Sequence, residues 1–584
     1  MKNFITILIT TITVILLSQS ALTAGTLQED RKYEPAVFTA QEVKGFINDP
    51  VSEIFVYAYN SAAGTWSLIP FQIDEQTHGP DPLSGTGQLK WYYFDQVWAD
   101  IDSLKHYKHN GIFDDHDELV FMIKDMGDKA PDNLNSWIDN EAARDNERVE
   151  IVLSDPNDAG KKAYVYLYRS STLKKEDIPK PYNMGYNTGT ATVTSAFYDF
   201  AFASLGLVEG ITIKTPGGSG EDILDRLKAR IKGILNTFLV IPLTLNEEVL
   251  VSAGLYVTPE PVVRVIRSTS FNFEFAGIVE VDNFFKVDTK FYPYSGTIAG
   301  GDTLTPDALV KHMGEGVELK LTDLRFSWDL NQSASGMKMF TKHNENISVD
   351  GNPDGINKQI DIPSDPTNDI AVWSMATGNQ GTLFTYGAFA NAKWEAIELY
   401  YNDNKNGGTA DYDIFDIDDS GDKMSYSDTG VLFKASFSDT VVFELDYKIY
   451  MMPEKDQSKS FAENLAYNLA NPVEIGSQII SDVEKENNTA APLTFELAQN
   501  YPNPFNNSTQ FRFVLPQSEN ISFKIFDTNG RLVKNLTQGF YSSGTHKFHW
   551  NGTDELGTEV PSGIYFYQLQ AGDQTLHKKL ILVR

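Results

Sequence analysis

The chain has 584 residues and no cysteine, which excludes disulfides, thiol catalysis and thiolate metal sites; core packing, helped by cations where acids cluster, must hold it together. Its 48 basic and 79 acidic residues leave a formal charge of −31, a surface that disfavours nucleic acid and anionic lipid and favours solubility and divalent cations. Abundant Tyr and Phe suit β-strands, where they serve as core or as stacking platforms for sugars.

At the start, Met1 and Lys2 precede an apolar stretch over 4–17, shorter than the roughly 20 residues of a membrane span, and small residues follow over 21–24. That order predicts a secretory signal peptide over 1–24 and a mature chain beginning near Gly25. No later segment is apolar for long enough to predict a transmembrane helix.

An N-terminal β-rich domain is expected over 25–185. The run 54–59 reads as a strand, 60–64 as a turn, and 66–75, with the sequence WSLIPFQIDE, as a second strand ending in acids; the two make a hairpin. Further on, Asp114, Asp115, His116, Asp117 and Glu118 lead into the apolar strand 119–122. Several carboxylates in one loop suit a hard cation, and the competing reading is a solvated turn bent by Asn110 and Gly111. The pairing of an IPFQIDE-like strand with a DELVFM-like strand is similar to one found in exported proteins, a likeness that carries no function.

A large β-sandwich domain is expected over 186–480, with an amphipathic helix inserted over 221–238. There Ile223, Leu224, Leu227, Ile231, Ile234, Leu235 and Phe238 recur at helical spacing behind Glu221 and Asp222, acids that suit a helix start. The preceding Pro216 to Gly220 lacks the lysine and strand of a phosphate loop and reads as a flexible linker.

From 262 to 450 the apolar runs 262–266, 271–275, 284–291, 317–324, 382–389, 394–401, 431–437 and 441–449 predict strands of an antiparallel sandwich. The segment 260–267 is similar to a GPVRVIR-like strand of exported polysaccharide lyases. As an enzyme the middle region would be a polysaccharide lyase or hydrolase, and lyase chemistry needs a base beside a uronate carboxylate and a cation to neutralise it. Arg264, Arg267 and Tyr292 are candidates for those roles, with His312 and His343 as alternative bases. In the competing reading the sandwich is non-catalytic, and either displays Trp328, Trp373 and Trp394 to extracellular polysaccharide or forms a structural surface layer.

Between 402 and 422 seven Asp and three Asn face a single Lys405. Ordered carboxylates at that density repel one another unless a cation relieves them. Calcium, which takes six to eight oxygens in flexible geometry, is the cofactor expected, held irregularly by some of Asp411, Asp413, Asp416, Asp418 and Asp422; the alternative is a solvated acidic loop. Asp416, Asp418, Ser420 and Gly421 begin like an EF-hand loop, but Ser427 stands where its closing Glu belongs.

A short helix over 460–469 and a polar linker over 481–492 lead to a last domain, 493–584. Phe511, Phe513 and Leu515, then Ile521, Phe523 and Ile525, alternate with polar residues, and Asp527 to Gly530 supply a hairpin turn before Leu532 and Val533. Runs over 546–550, 564–569 and 576–583 complete an Ig-like β-sandwich. The fold class expected for the whole chain is mainly β.

The motifs LAQNYPNPF at 497–505, FRFVLP at 511–516, FDTNGR at 526–531, WNG at 550–552 and PSGIY at 561–565 stand in this order. Together they resemble the type A C-terminal sorting domain of the type IX secretion system, a family related in pattern to the Ig-like domain of flagellar hook-capping proteins. The resemblance implies passage through the outer membrane, a partner in the secretion machinery, and release or attachment at the cell surface. It implies no catalytic residues.

Overall fold

The computed structural model describes residues 26–481 and 495–583, apart from 44–45, 47–48, 81–88, 94–110, 115, 132–146, 171, 204–207, 236–238, 245–249, 259, 276–278, 305–318, 365–368, 390–395, 407–423 and 438–440 in the first span, and 501–502, 504, 506–508, 517–518, 529, 542–543, 551, 555–557, 559 and 573 in the second. The chain divides into two compact units, Met1–Asp482 and Val483–Arg584.

The centre of the first unit is a pair of antiparallel sheets. One has five strands in the order Leu239–Thr244, Leu224–Leu235, Leu319–Leu330, Ser425–Phe437 and Ala396–Asn404. The other has nine: Leu250–Val257, Val265–Phe275, Val279–Phe291, Ser295–Leu304, Val441–Met452, Gly381–Phe389, Ile370–Gly378, Lys338–Thr341 and Asn344–Ser348. Aromatic side chains bridge the two. Phe389 of the larger sheet meets Phe433 of the smaller at 4.8 Å between ring centres, and Tyr447 stacks on Trp328 at 5.8 Å. The sandwich expected from the strand pattern is therefore present, and one long strand, Val265–Phe275, takes in all of 271–275 but only the last two residues of 262–266.

The segment 221–238 is a correction. Leu224–Leu235 is a strand, not a helix, hydrogen-bonded on one side to Leu319–Leu330 and on the other to Leu239–Thr244. The register shift between Leu224 and Arg226 leaves Asp225 as an extra residue in this strand, whereas the shift at Ile231 and Lys232 lies with Asp323 of the partner strand. The bulge spaces Leu224 and Leu227 by three, and the intervals of four from Leu227 to Ile231 to Leu235 are two strand periods each, so together they imitate a helical face. Ladders on both edges then override local helix propensity.

Residues 216–220 are likewise packed rather than a loose linker. Gly218 N donates to Lys214 O at 2.8 Å and Gly220 N to Ile213 O at 3.0 Å. A Cβ on Gly218 would stand 2.1 Å from Ile213 O, so only glycine fits.

The N-terminal residues form a five-stranded sheet, Glu474–Ser481, Glu147–Asp155, Asp158–Arg169, Ile54–Asn60 and Thr65–Leu68, and a three-stranded one, Pro35–Thr39, Glu118–Met122 and Phe71–Asp74. The expected strand 66–75 is thus two. Pro70 has no N–H for a ladder, and the chain changes sheets there: Thr65–Leu68 completes the hairpin with Ile54–Asn60, while Phe71–Asp74 pairs with Glu118–Met122. Buried side chains from Leu27 to Ala466 make one continuous core, so residues on either side of 185 share it. The helix Lys459–Ala470 forms where expected, with the Ser458 hydroxyl accepting from Phe461 N at 3.3 Å and Ala462, Leu465 and Ala466 turned into that core.

The second unit is a sandwich of two antiparallel sheets. Glu496–Leu497, Thr509–Leu515 and Gly544–Trp550 form one; Leu532–Tyr541, Glu519–Asp527, Gly563–Ala571 and Gln574–Leu582 form the other. Its core is separate, built from Phe511, Phe513, Phe523, Trp550, Tyr567 and their apolar neighbours.

Candidate functional site

Three stretches distant in sequence, 68–75, 117–122 and 261–267, converge on one buried charge cluster. The two strands Phe71–Asp74 and Glu118–Met122 place Asp74 directly opposite Glu118, a like-charged pair that needs a cation between its members. Arg264, fully buried, supplies it: Nε and Nη2 donate to Asp74 Oδ2, the former at 2.8 Å, and Nη1 donates to Glu118 Oε2 at 2.6 Å. Lys290 Nζ stands 3.8 Å from the same Glu118 oxygen.

The Gln72 amide holds the approach to the arginine. Its Oε1 accepts from three successive backbone N–H groups, Val262 at 2.9 Å, Val263 at 3.2 Å and Arg264 at 3.1 Å, while Nε2 donates to Asp74 Oδ1 at 2.7 Å and Arg264 O at 3.0 Å. Burial raises the Asp74 carboxyl above its ordinary range against the pull of Arg264, and burial together with Arg264 lowers the Lys290 ammonium. A cleft of about 340 Å³ opens beside the cluster, walled by Phe55, Phe71 and Val262 and carrying Glu75, Lys175 and Glu260 at its polar edge.

Among the described residues, the acidic turn before Glu118 does not gather into a metal centre. Asp117 is buried and turned into its own backbone, with Oδ1 accepting from Gln76 N and Oδ2 from Asp114 N, both at 2.8 Å. Burial pushes its carboxyl up to about 7. Glu118 points instead to Arg264, and Asp115 lies outside the described residues. No group of three or more His, Asp or Glu side chains suited to a metal occurs among the described residues.

The proposed lyase residues do not meet in a groove. Arg264 and Tyr292 are interior members of the charge cluster, where burial raises the Tyr292 hydroxyl. Arg267, also buried, lies 3.9 Å above the Phe202 ring. His343 Nε2 is 2.9 Å from Asp361 Oδ1, away from them, and His312 lies outside the described residues. Trp328 and Trp373 are core side chains, the latter stacked on Phe384 at 6.2 Å, rather than a displayed platform. Trp394 and the calcium candidates Asp411, Asp413, Asp416, Asp418 and Asp422 are also outside the described residues.

In the C-terminal unit, several of the described motif residues have a structural task. Asn500 N donates to Tyr567 Oη, whose hydroxyl in turn donates to Ala498 O, both at 2.9 Å, and Asn500 Nδ2 donates to Thr509 Oγ1 at 2.9 Å. Phe505 zips onto the last strand, donating from N to Ile581 O at 3.0 Å and accepting from Val583 N at 2.8 Å. Gly530, at φ +77°, closes the hairpin turn with Asp527. Trp550 Nε1 donates to Thr553 O at 2.8 Å, and Tyr565 Oη donates to Pro561 O at 2.7 Å, a tyrosine corner of the Ig type.

No curated protein matches the chain. Among solved structures, dimeric latent PorU from Porphyromonas gingivalis overlaps 73% of this chain and 36% of its own at 12% identity and a TM-score of 0.15. PorZ, an essential surface component of the type IX secretion system of the same organism, overlaps 72% and 56% at 13% identity and a TM-score of 0.12. The chain therefore spans only part of the length of both, and TM-scores this low establish no shared fold. The family found in the sequence is confined to the C-terminal unit, where residues 504–575 match the FlgD Ig-like domain.

Proposed function

We propose that the chain is exported cargo of the type IX secretion system, a cell-surface or released protein whose C-terminal Ig-like unit is its sorting signal. The observation that supports this most is the unit itself, which has its own core and is closed by the residues of the sorting-domain pattern, Asn500, Phe505, Gly530, Trp550 and Tyr565. A self-contained fold can be recognised, and removed, without unfolding the body that precedes it. Deleting 493–584 traps the remainder in the periplasm, measured by fractionation and immunoblotting. Arrival of the truncated protein at the surface or in the medium at the parent's level overturns the proposal.

A second reading concerns the body, taken as carbohydrate-recognising. Its support is the cleft beside Gln72, whose apolar walls and few polar groups resemble small-ligand sites in general. Lys175 pairs with Glu260 in its lining at 3.5 Å, which leaves Glu75 to repel uronates and favour a neutral glycan. Binding to a panel of neutral and acidic polysaccharides, with absorbance of unsaturated uronate products followed in parallel, tests this. Binding to neutral polymers without product is expected; no binding to any polymer overturns the reading, and product formation restores the lyase alternative.

A further inference from the structure

Three charged side chains meet inside the five-stranded sheet, one from each of three neighbouring strands: Lys228, Asp329 and Asp428. Lys228 is 5% exposed and the two acids 0%. Lys228 Nζ stands 2.5 Å from Asp329 Oδ2 and 3.7 Å from Asp428 Oδ2. The Ser425 hydroxyl donates to the other Asp329 oxygen, Oδ1, at 2.7 Å. Both carboxylate oxygens of Asp428 are buried and without a hydrogen bond among the described residues. The neighbouring Trp328, Leu330 and Ser427 are themselves buried, so the group sits away from bulk water.

As free side chains, one ammonium and two carboxylates leave a net negative charge in the interior, an arrangement that desolvation penalises heavily. Burial, aided by the Asp428 charge, pushes the Asp329 carboxyl up to about 7; the reaction begins when the ammonium passes a proton to this carboxylate, which makes a neutral amine against a carboxylic acid. These are reactants held at contact distance, with their encounter entropy already lost in folding.

We propose that Lys228 and Asp329 condense into an intramolecular isopeptide bond, with Asp428 as the proton carrier and Ser425 as the oxyanion donor. Neutral Nζ attacks Asp329 Cγ, and the carbonyl electron pair moves to Oδ1, where the Ser425 hydroxyl stabilises it. Asp428 takes a proton from the attacking nitrogen and returns it to the Oδ2 hydroxyl, which leaves as water. One N–C bond forms, one C–O bond breaks, no electrons are exchanged with another molecule, and Asp428 ends as it began. The product removes one positive and one negative charge from the interior. It also closes a covalent loop of roughly a hundred residues in a chain that has no cysteine to do so.

Peptide mass spectrometry on the purified full chain tests this. The expected digest contains a branched peptide joining Lys228 to Asp329, lighter than its two components by one water. Lys228→Arg keeps the charge but yields only the linear peptides at full mass. Asp428→Asn keeps the shape and, with a circular dichroism spectrum like the parent's, also yields linear peptides. Linear peptides at full mass from the parent overturn the bond, and a branched peptide in folded Asp428→Asn overturns the proton route.

Discussion

Replacing Arg264 by Met removes the side chain that, among the described residues, bonds to both Asp74 and Glu118, while keeping most of its volume. Glu118 retains Lys290 at 3.8 Å, so the loss falls on Asp74, which is 6% exposed and, among the described residues, keeps the Gln72 amide. Removing one partner of a buried pair and leaving the other charge uncompensated costs about 4 kcal/mol. The sign of the pH dependence follows from Asp74, whose folded carboxyl is already raised by burial. A raised acid favours folding while protonated in both states, and that stability is lost as pH rises through the folded value. Without Arg264 the raise is larger, so Arg264→Met is least impaired near pH ~4 and most impaired at neutral pH. Urea unfolding of the full chain, followed by tryptophan fluorescence at both pH values, measures the difference. A variant as stable as the parent at neutral pH, or one with an equal deficit at both, refutes the argument that Arg264 neutralises a buried acid.

Asp117→Asn puts an N–H₂ group against one of two backbone donors and costs about 2 kcal/mol at low pH. Because the parent's Asp117 is pushed up to about 7, its contribution is full below the ordinary carboxylate range and lost through pH ~7; the gap between variant and parent in thermal melts narrows over that interval, and a constant gap contradicts it. Tyr565→Phe removes the bond to Pro561 O and costs the C-terminal unit about 1 kcal/mol. Hydrogen exchange then quickens in peptides from 505–582 and stays unchanged in peptides from the body, while equal exchange in variant and parent removes the tyrosine corner from the account.

The fold beside the candidate site also sets limits on function. Arg264 and Arg267 are the basic residues that the Val- and Ile-rich segment 260–267 leaves conspicuous, and they and Tyr292 are buried where they hold elements together. A buried guanidinium with two carboxylates is stabilised by its neighbours and is not presented to a polymer outside. The cleft beside them borrows its polar floor from Gln72 and Asp74, side chains already committed to Arg264.

Sequence by itself determined the elements whose information is local. Alternation in 511–515 and 521–525, the Asp527 to Gly530 turn and the short helix near 460–469 all depend on residues within a few positions of one another, and all took the expected form. Tertiary structure decided the rest. Leu224–Leu235 became a strand because ladders on both edges outweigh a helical spacing that one bulge at Asp225 and a strand period of two also produce. The same misreading hid Lys228 from Asp329 and Asp428, which lie about a hundred and two hundred residues away in sequence and meet only once three strands are placed side by side. The stretches 68–75, 117–122 and 261–267 were each visible as motifs, yet nothing local says that Gln72 caps the backbone of 262–264 or that Arg264 separates two acids. A buried charge finds its partner by the cost of leaving it unpaired, and that cost exists only when the chain has folded.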